Sequence, residues 1–508
     1  MSRMNDEGGK YLLAICASDS RGGAGLQAAL AQAALYELEC RSVVTAITAQ
    51  SQSGVGSVTV LPVDVIEAQL DAALQDGQPA VVLLGWLPPQ REIIAAVSNF
   101  LKRTQAPVVW DPVISATLGK LPGERDTVVA LYRELLPQIT LITPNLSEAL
   151  ALSGREDSDD PDVAKVAREL QGAGVHTVLI SGGDLSSEGW ASDIVVSQPE
   201  SSQPETMALP EFAMHQKRLR CGAHGTGSQQ AAGIAVSLAL GYRLYDAILA
   251  GTASAHAALS ASQSEAGSRY PNCLAVTRSN DGRDWPLITE IDRLPPDIAF
   301  ERYSPGLYAL TDNLEHLQSL LQLNVDTIQW RVKTPGPTYE DDTLEAMRLC
   351  QTAGVRFWLN DDWRFALSLC WSLDSSLRPD GVHLGQEDLL SADVEALYEA
   401  GLSVGISTHT EWEIARARAF NPGYIAFGPV FPPLSKQLRY SPLGTDQLAE
   451  WSERYHYWAQ TCIGGIVPAN AKAVSATGIE SMAIVTCLQP GPEQAANALV
   501  LRNALLNA

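Results

Sequence analysis

Three polar side chains alternate in the stretch "QWRVK": Gln329, Arg331 and Lys333. In an extended strand alternate residues face one side, so the spacing aims an amide and two cations together. A solvated sheet edge would show the same pattern, and residues at the ends of the following apolar runs favour a site over decoration. Asn360 and Asp361 close "RFWLND", Asp388 follows "GVHLG", Ser407 and Thr408 close "SVGIST", and Lys436 follows "YIAFGPV" in "FPPLSK". Two carboxylates, Asp361 and Asp388, suit Mg²⁺, which keeps several waters and takes its other ligands from substrate phosphates. Arg331 and Lys333 can neutralise a diphosphate, while Gln329, Asn360 and Ser407 can orient it. Gly464 and Gly465 in "IGGI", with Thr486 further on, have the make-up of a backbone phosphate cup, although a plain tight turn would also use such glycines. A metal-bound diphosphate beside a second phosphate site implies loss of pyrophosphate and attack by a second substrate.

A different chemistry is suggested by "AHGTGSQQAAGIAVSLALGY", where Gly225, Gly227 and Ser228 lead into an Ala-rich helical pattern. Glycines permit close backbone approach, and the first turn of a helix offers unpaired N–H groups and partial positive charge, so the junction could cradle an anion. A turn without a ligand is an equally good reading of this segment alone.

The elements that must position these residues follow an alternating rhythm of short apolar runs and longer helical patterns, the signature of parallel α/β architecture. In the first half "YLLAICA", "SVVTAITA", "AVVLLGW", "PVVWDPV", "LITPN" and "TVLISGG" read as buried strands of an open, doubly wound sheet. From "GLYALT" onward, eight strand-like runs spaced by helices within about 200 residues predict a compact (β/α)8 TIM barrel. Pattern fades between them, in "NDGRDWP" and "DRLPPD". The expected organisation is therefore a domain over 1–280, a linker over 281–304 and a barrel over 305–508.

Composition narrows the partners. Of 508 residues 46% are hydrophobic and 18% charged, a balance suited to large cores, and the net charge of −23 opposes binding to nucleic acid or an anionic membrane. The eight cysteines are scattered without a CxxC pair, which reads as reduced thiols and points to the cytoplasm. No run of 18 apolar residues occurs, and "MSRMNDEGGK" lacks the apolar core of a signal peptide. A homo-oligomer is neither required nor excluded.

The second half closely resembles thiamine phosphate synthase, through "QWRVK", "LND", "DGVHLGQED", "GISTHT", "IAFGPVFPPLSK" and "IGGI" in order between about Gly306 and Leu501. The resemblance implies that hydroxymethylpyrimidine diphosphate is joined to thiazole phosphate. It implies diphosphate contacts from Gln329, Arg331, Lys333, Asn360 and Ser407, and Mg²⁺ held by Asp361 and Asp388. Lys436 would reach the leaving diphosphate, and Gly465 with Thr486 would cradle the thiazole phosphate. The family usually has a threonine where Pro433 stands, leaving Ser435 as the side-chain hydroxyl of that loop.

The first half resembles hydroxymethylpyrimidine/phosphomethylpyrimidine kinase, a ribokinase-like fold, through "ASDSRGGAGLQA", "VTAITAQSQSGV", "WDPV", "LITPNLSEALALSG", "ISGGD" and "HGTGS". The resemblance makes the glycine turn an anion hole for a phosphoryl group in transit from ATP. It retains Asp19 and Gln50 for substrate, with Asp111 also present, and Asn145 and Glu148 to organise Mg²⁺ through water. Ser228 stands where the family has a cysteine, Ser181 where it usually has a lysine, and Leu83 and Trp86 replace part of a Lys-x-Gly-Met-Leu stretch. Two accounts stay open on these residues: a slowed kinase, or a module that only binds a pyrimidine or supports assembly. For the barrel, the rival is a phosphate sensor without transferase chemistry.

Overall fold

The computed structural model describes residues 11–506 apart from 52–53, 76, 115–120, 156–160, 183–188, 199–208, 220–224, 264–279, 372–376 and 433–439. Ten strands form the first sheet: β1 (Tyr11–Asp19), β2 (Glu39–Ser51), β3 (Gly54–Val60), β4 (Val81–Leu84), β5 (Val108–Trp110), β6 (Leu141–Ile142), β7 (Thr177–Ile180), β8 (Trp190–Ser197), β9 (Glu211–Lys217) and β10 (Leu287–Thr289). Their spatial order is β10-β9-β8-β7-β6-β5-β4-β1-β2-β3. β1 pairs in parallel with both β2 and β4, so the chain leaves it in two directions and opens a crevice at its carboxyl end, where Asp19 lies. This is the ribokinase-like, doubly wound sheet expected. Continuous burial of β1, β4 and β7 follows from helices on both faces.

The barrel closes through β11 (Leu307–Thr311), β12 (Thr327–Trp330), β13 (Arg356–Asn360), β14 (Gly381–Leu384), β15 (Ser403–Thr408), β16 (Tyr424–Phe427), β17 (Gln460–Ile463) and β18 (Met482–Ile484). Every adjacent pair is parallel, including β11 with β18. Short strands rich in Ile, Val and Phe meet the outer helices in one core, while Tyr308, Trp358 and Tyr424 fill the interior.

One feature departs from the sequence expectation, and a second had no expectation attached to it. The stretch 281–304, expected as a linker, contributes β10, which pairs antiparallel with β9 through Leu287 and His215, Ile288 and Met214, and Thr289 and Ala213. Its turn chemistry concealed a three-residue strand. His215 fixes the register, with Nε2 2.7 Å from the Thr289 hydroxyl and Nδ1 2.8 Å from that of Ser192. The second is the helix Glu411–Ala419, all nine residues of which are buried. Its Trp412 packs edge-on to Phe212 at 5.7 Å, joining Ala415 in the core of the first sheet.

Asp246, from the helix Leu244–Gln263, accepts the backbone N–H of Trp412 at 3.0 Å. Burial, then the nearby Glu411 charge, pushes its carboxyl up to about 7; Glu413 acts in the same direction and Arg243 against it. A carboxyl raised on folding contributes stability that is fully present below its unfolded value, about pH 4, and lost as pH rises through the folded value. Asp246→Asn keeps an oxygen for Trp412 without the charge. Its thermal midpoint relative to the unmodified protein should therefore climb from acid to neutral pH and level off above about pH 7. A difference that does not vary with pH in scanning fluorimetry would refute this.

Candidate functional site

The barrel gathers polar groups at the carboxyl ends of its strands. Gln329 is buried on β12 and donates to the Tyr308 hydroxyl at 2.8 Å. That hydroxyl lies 2.9 Å from the hydroxyl of Tyr424, which lies 2.7 Å from His383 Nδ1, and His383 Nε2 is 2.7 Å from Ser407 Oγ. One hydrogen-bonded chain thus crosses the interior from β12 to β15. Burial, then Arg331, lowers the His383 pKa to about 3, so its ring is neutral and has one donor and one acceptor nitrogen to serve that chain. Tyr308, His383 and Tyr424 were not singled out from sequence; a histidine within the apolar run "GVHLG" was the available signal.

The alternation in "QWRVK" is only partly a strand property. β12 ends at Trp330, so Arg331 and Lys333 lie just beyond it, with Arg331 half-buried and Lys333 exposed. The backbone N–H of Arg331 still bonds Thr311 O at 2.8 Å, which holds its start in register.

Asp361 adopts φ +64°, a left-handed conformation uncommon outside glycine, while its N–H donates to His383 O at 2.9 Å. Asn360 Nδ2 donates to its carboxylate. The Asp388 carboxylate accepts the Gly385 N–H at 2.9 Å. Burial, then Asp388 within hydrogen-bond reach, pushes the Asp361 carboxyl up to about 6 against the pull of Arg331. Two facing carboxylates that resist joint ionisation fit a divalent cation, whose charge would relieve their repulsion. Among the described residues no group of three or more His, Cys, Asp or Glu forms such a cluster, so this pair would leave remaining positions to water and substrate oxygens.

Across the mouth, Gly464 and Gly465 have φ +106° and +64°. A Cβ on Gly465 would come within 2.7 Å of the Phe431 Cβ, so the turn needs glycine for both conformation and space. Thr486 is exposed just after β18. Ser435 and Lys436 lie outside the described residues.

In the first domain the glycine turn opens the helix Thr226–Ala239, with Gly225 at φ +87°. A Cβ there would stand 2.0 Å from Gly23 O, which brings the loop after β1 against the helix start. Asp19 shapes that loop, its carboxylate accepting N–H groups of Arg21, Gly23 and Ala24 at 2.8, 3.1 and 3.0 Å. Gly227 is open instead: beyond its own turn, no heavy atom of the described residues lies within 4 Å of its Cβ position. Ser228 Oγ donates to Asp111 Oδ2 at 2.8 Å, a partner 117 residues away that sequence reading did not give it. Burial pushes the Asp111 carboxyl up to about 6, opposed by this bond. Gln50, half-buried on β2, donates to the Thr48 hydroxyl at 3.0 Å.

Asn145 and Glu148, assigned to Mg²⁺ from sequence, form a capping box. Asn145 Oδ1 accepts the Glu148 N–H at 2.9 Å, and Glu148 Oε2 accepts the Asn145 N–H at 3.0 Å. The second Glu148 oxygen takes the Ile114 N–H at 3.2 Å, and burial pushes its carboxyl up to about 8. The capping box fixes both side chains at the start of the helix Leu146–Ser153, and the assignment of Asn145 and Glu148 to Mg²⁺ through water remains a proposal.

Comparison with known proteins follows the same division. The phosphomethylpyrimidine kinase family matches residues 19–271 and the thiamine monophosphate synthase family residues 305–488. Thiamine-phosphate synthase of Salmonella typhimurium is 40% identical over 194 residues, 38% of this chain and 88% of that protein. The probable thiamine biosynthetic bifunctional enzyme, chloroplastic, of Oryza sativa subsp. japonica is 27% identical over 521 residues, spanning 98% of this chain and 89% of its own. The thiamine biosynthetic bifunctional enzyme TH1, chloroplastic, of Arabidopsis thaliana is 29% identical over 497 residues, 94% of this chain and 89% of its own. The chain belongs to the thiamine-phosphate synthase family and joins a phosphomethylpyrimidine kinase domain to its synthase barrel, as a bifunctional enzyme of thiamine biosynthesis.

Proposed function

We propose that the barrel joins hydroxymethylpyrimidine diphosphate to thiazole phosphate with release of pyrophosphate, and that the first domain supplies the diphosphate by phosphorylating the pyrimidine with ATP. The observation that carries the synthase reading is the facing pair Asp361 and Asp388 beside Arg331 and Asn360. These carboxylates would hold Mg²⁺, which when bound supplies positive charge to the departing diphosphate. Arg331 and Lys333 add to that charge, Lys436 is assigned to the leaving group, and Gln329 and Ser407, tied together through the barrel interior, keep the diphosphate oriented. Gly464, Gly465 and Thr486, with Ser435, are assigned to the thiazole phosphate. These donors match a phosphorylated partner better than a sensor, which has little use for a second, charge-dense diphosphate site.

The kinase reading is favoured over a binding module by one bond, Ser228 to Asp111. A serine hydroxyl is a weak base by itself. With Asp111 behind it, Ser228 can take the proton of the substrate hydroxyl while passing its own to the carboxylate, as that hydroxyl oxygen bonds the γ-phosphorus and ADP departs. The N–H groups of Gly225, Gly227 and Ser228 would receive the transferring phosphoryl oxygens. Asp19 and Gln50 frame the pyrimidine pocket.

Small phosphorylated pyrimidines and thiazoles are the proposed ligands, and the acidic surface argues against nucleic acid. The described cysteines Cys16, Cys40, Cys350, Cys370, Cys462 and Cys487 are free, which accords with a reducing compartment, in our reading the cytoplasm. Among the described residues no helix is long and apolar enough to cross a membrane.

Two sets of variants test these roles. Asp361→Ala and Asp388→Ala should each lower synthase kcat about 100-fold or more with the fold intact, and near-normal turnover in either removes that residue from the site. In the kinase assay, Asp111→Asn and Ser228→Ala should each reduce product formation by about 10²-fold or more, with little further loss on combining them, because they act in one relay. Ser228→Cys should raise the rate, since a thiol ionises more readily beside the same carboxylate. Should the unmodified protein and Ser228→Cys both fail to make pyrimidine phosphates from ATP, the first domain is a binding module.

A further inference from the structure

The helix Glu411–Ala419 leaves β15 almost directly after Ser407. An outer helix of a barrel ordinarily keeps one face in water. Here the kinase-like domain covers that face: Trp412 is 1% exposed, packs against Phe212 and Tyr245, and has its backbone N–H held by Asp246. Further along, Arg418 donates to Trp285 O from both terminal nitrogens at 3.3 and 3.4 Å.

The opposite side of the same helix reaches the synthase site. Arg416 Nη1 donates to Gln386 O at 2.9 Å and approaches Gln386 Oε1 at 3.4 Å. Gln386 Nε2 in turn donates to Ser407 O at 2.8 Å. Gln386 follows Gly385, whose N–H is bound by the Asp388 carboxylate, and precedes Asp388 by two residues. A strap therefore joins the turn carrying Asp388 to the strand end carrying Ser407. Both strap residues are buried, Arg416 at 5% exposure and Gln386 at 7%. Enclosing a guanidinium strips it of hydration, and on this side the Gln386 carbonyl is the acceptor that answers it.

We propose that Arg416 and Gln386 are positioning residues of the synthase reaction, and that the kinase-like domain sets their place through Trp412. Arg416 holds the Gln386 carbonyl, Gln386 holds the backbone of Ser407, and the two together keep Asp388 and Ser407 at the spacing that a metal-bound diphosphate needs. Without the strap the Asp388 turn and the β15 end separate, and the metal and diphosphate edge of the site loosens while the Gly465 side is untouched. The inference rests on the synthase reading.

The test uses the full chain and reads binding as well as turnover. Calorimetric titration of pyrophosphate in the presence of Mg²⁺ should show affinity weakened about tenfold or more in Arg416→Met and in Gln386→Met, with a matching rise in the Mg²⁺ concentration for half-maximal rate. KM for the thiazole substrate should stay within about twofold, since its phosphate sits across the mouth. Arg416→Lys should recover part of the loss, because an ammonium still donates to the Gln386 carbonyl. Trp412→Leu should move pyrophosphate binding in the same direction by a smaller factor. Arg416→Met and Gln386→Met proteins with native circular dichroism and thermal midpoints that bind magnesium pyrophosphate like the unmodified chain overturn the proposal. If Arg416→Met does not fold, Gln386→Met, which preserves side-chain length, decides alone. A Trp412→Leu protein with unchanged binding overturns the role given to the kinase-like domain. Failure of the unmodified protein to bind magnesium pyrophosphate or to form thiamine phosphate would be a failure of the synthase reading itself, seen before any variant is compared.

Discussion

Burial of one charged helix between two cores is the constraint on which this architecture turns. Glu411, Glu413, Arg416 and Arg418 are all withdrawn from water, a costly arrangement unless each charge finds donors or acceptors nearby. Glu411 is answered by Arg454, the Trp451 indole N–H at 2.8 Å and the Tyr455 hydroxyl, and the Arg454 guanidinium also lies 4.4 Å from the Trp285 ring centroid. Glu413 accepts the backbone and ring nitrogens of His409 and the hydroxyl of Tyr440. These partners come from both sides of the junction: Trp285 precedes the edge strand of the first sheet, whereas the other partners belong to the barrel. The polar network fixes one relative placement of the two halves, which apolar contact alone would specify less sharply.

The two reaction centres meet the same demand by different means. In the barrel, positions are set by a rigid interior: tyrosines and a neutral histidine connect Gln329 to Ser407, so polar groups on separate strands do not adjust independently. The left-handed backbone at Asp361 belongs to the same strategy, since strain held by surrounding structure presents the carboxylate before any ligand arrives. In the first domain, position comes from loops drawn onto a helix start, with Gly225 against Gly23 and Asp19 holding the turn between. The side-chain chemistry there is a hydroxyl backed by a buried acid.

Much of this was legible in the sequence because it is periodic or local. Eight apolar runs foretold eight barrel strands, and Asn360, Asp361, Asp388 and Ser407 could be placed because strand ends mark the mouth of a barrel. Pairings distant in sequence were not legible: Tyr308 with Tyr424, Ser228 with Asp111, and Gln386 with Arg416 exist only through folding. Asn145 and Glu148 show a subtler case. Their spacing of three is a local cap signature, and a chemical reading of the same two side chains drew attention away from it. "EWEIARARA" misleads in another way, because alternating charge ordinarily marks a solvated face and nothing local reveals a second core outside it.

The edge strand β10 carries a consequence for exchanging one half of the chain. Joined enzymes are often thought of as beads that could be exchanged for free-standing counterparts. Here the connector is itself part of the first sheet, and Gly282 sits so close to Tyr455 that a Cβ would come within 2.6 Å of its ring. A cut between Asp281 and Thr289 would separate β10 from β9 or Gly282 from Tyr455. Exchanging either half for a free-standing counterpart would therefore leave the β9 edge and the Tyr455 face without the connector that covers them.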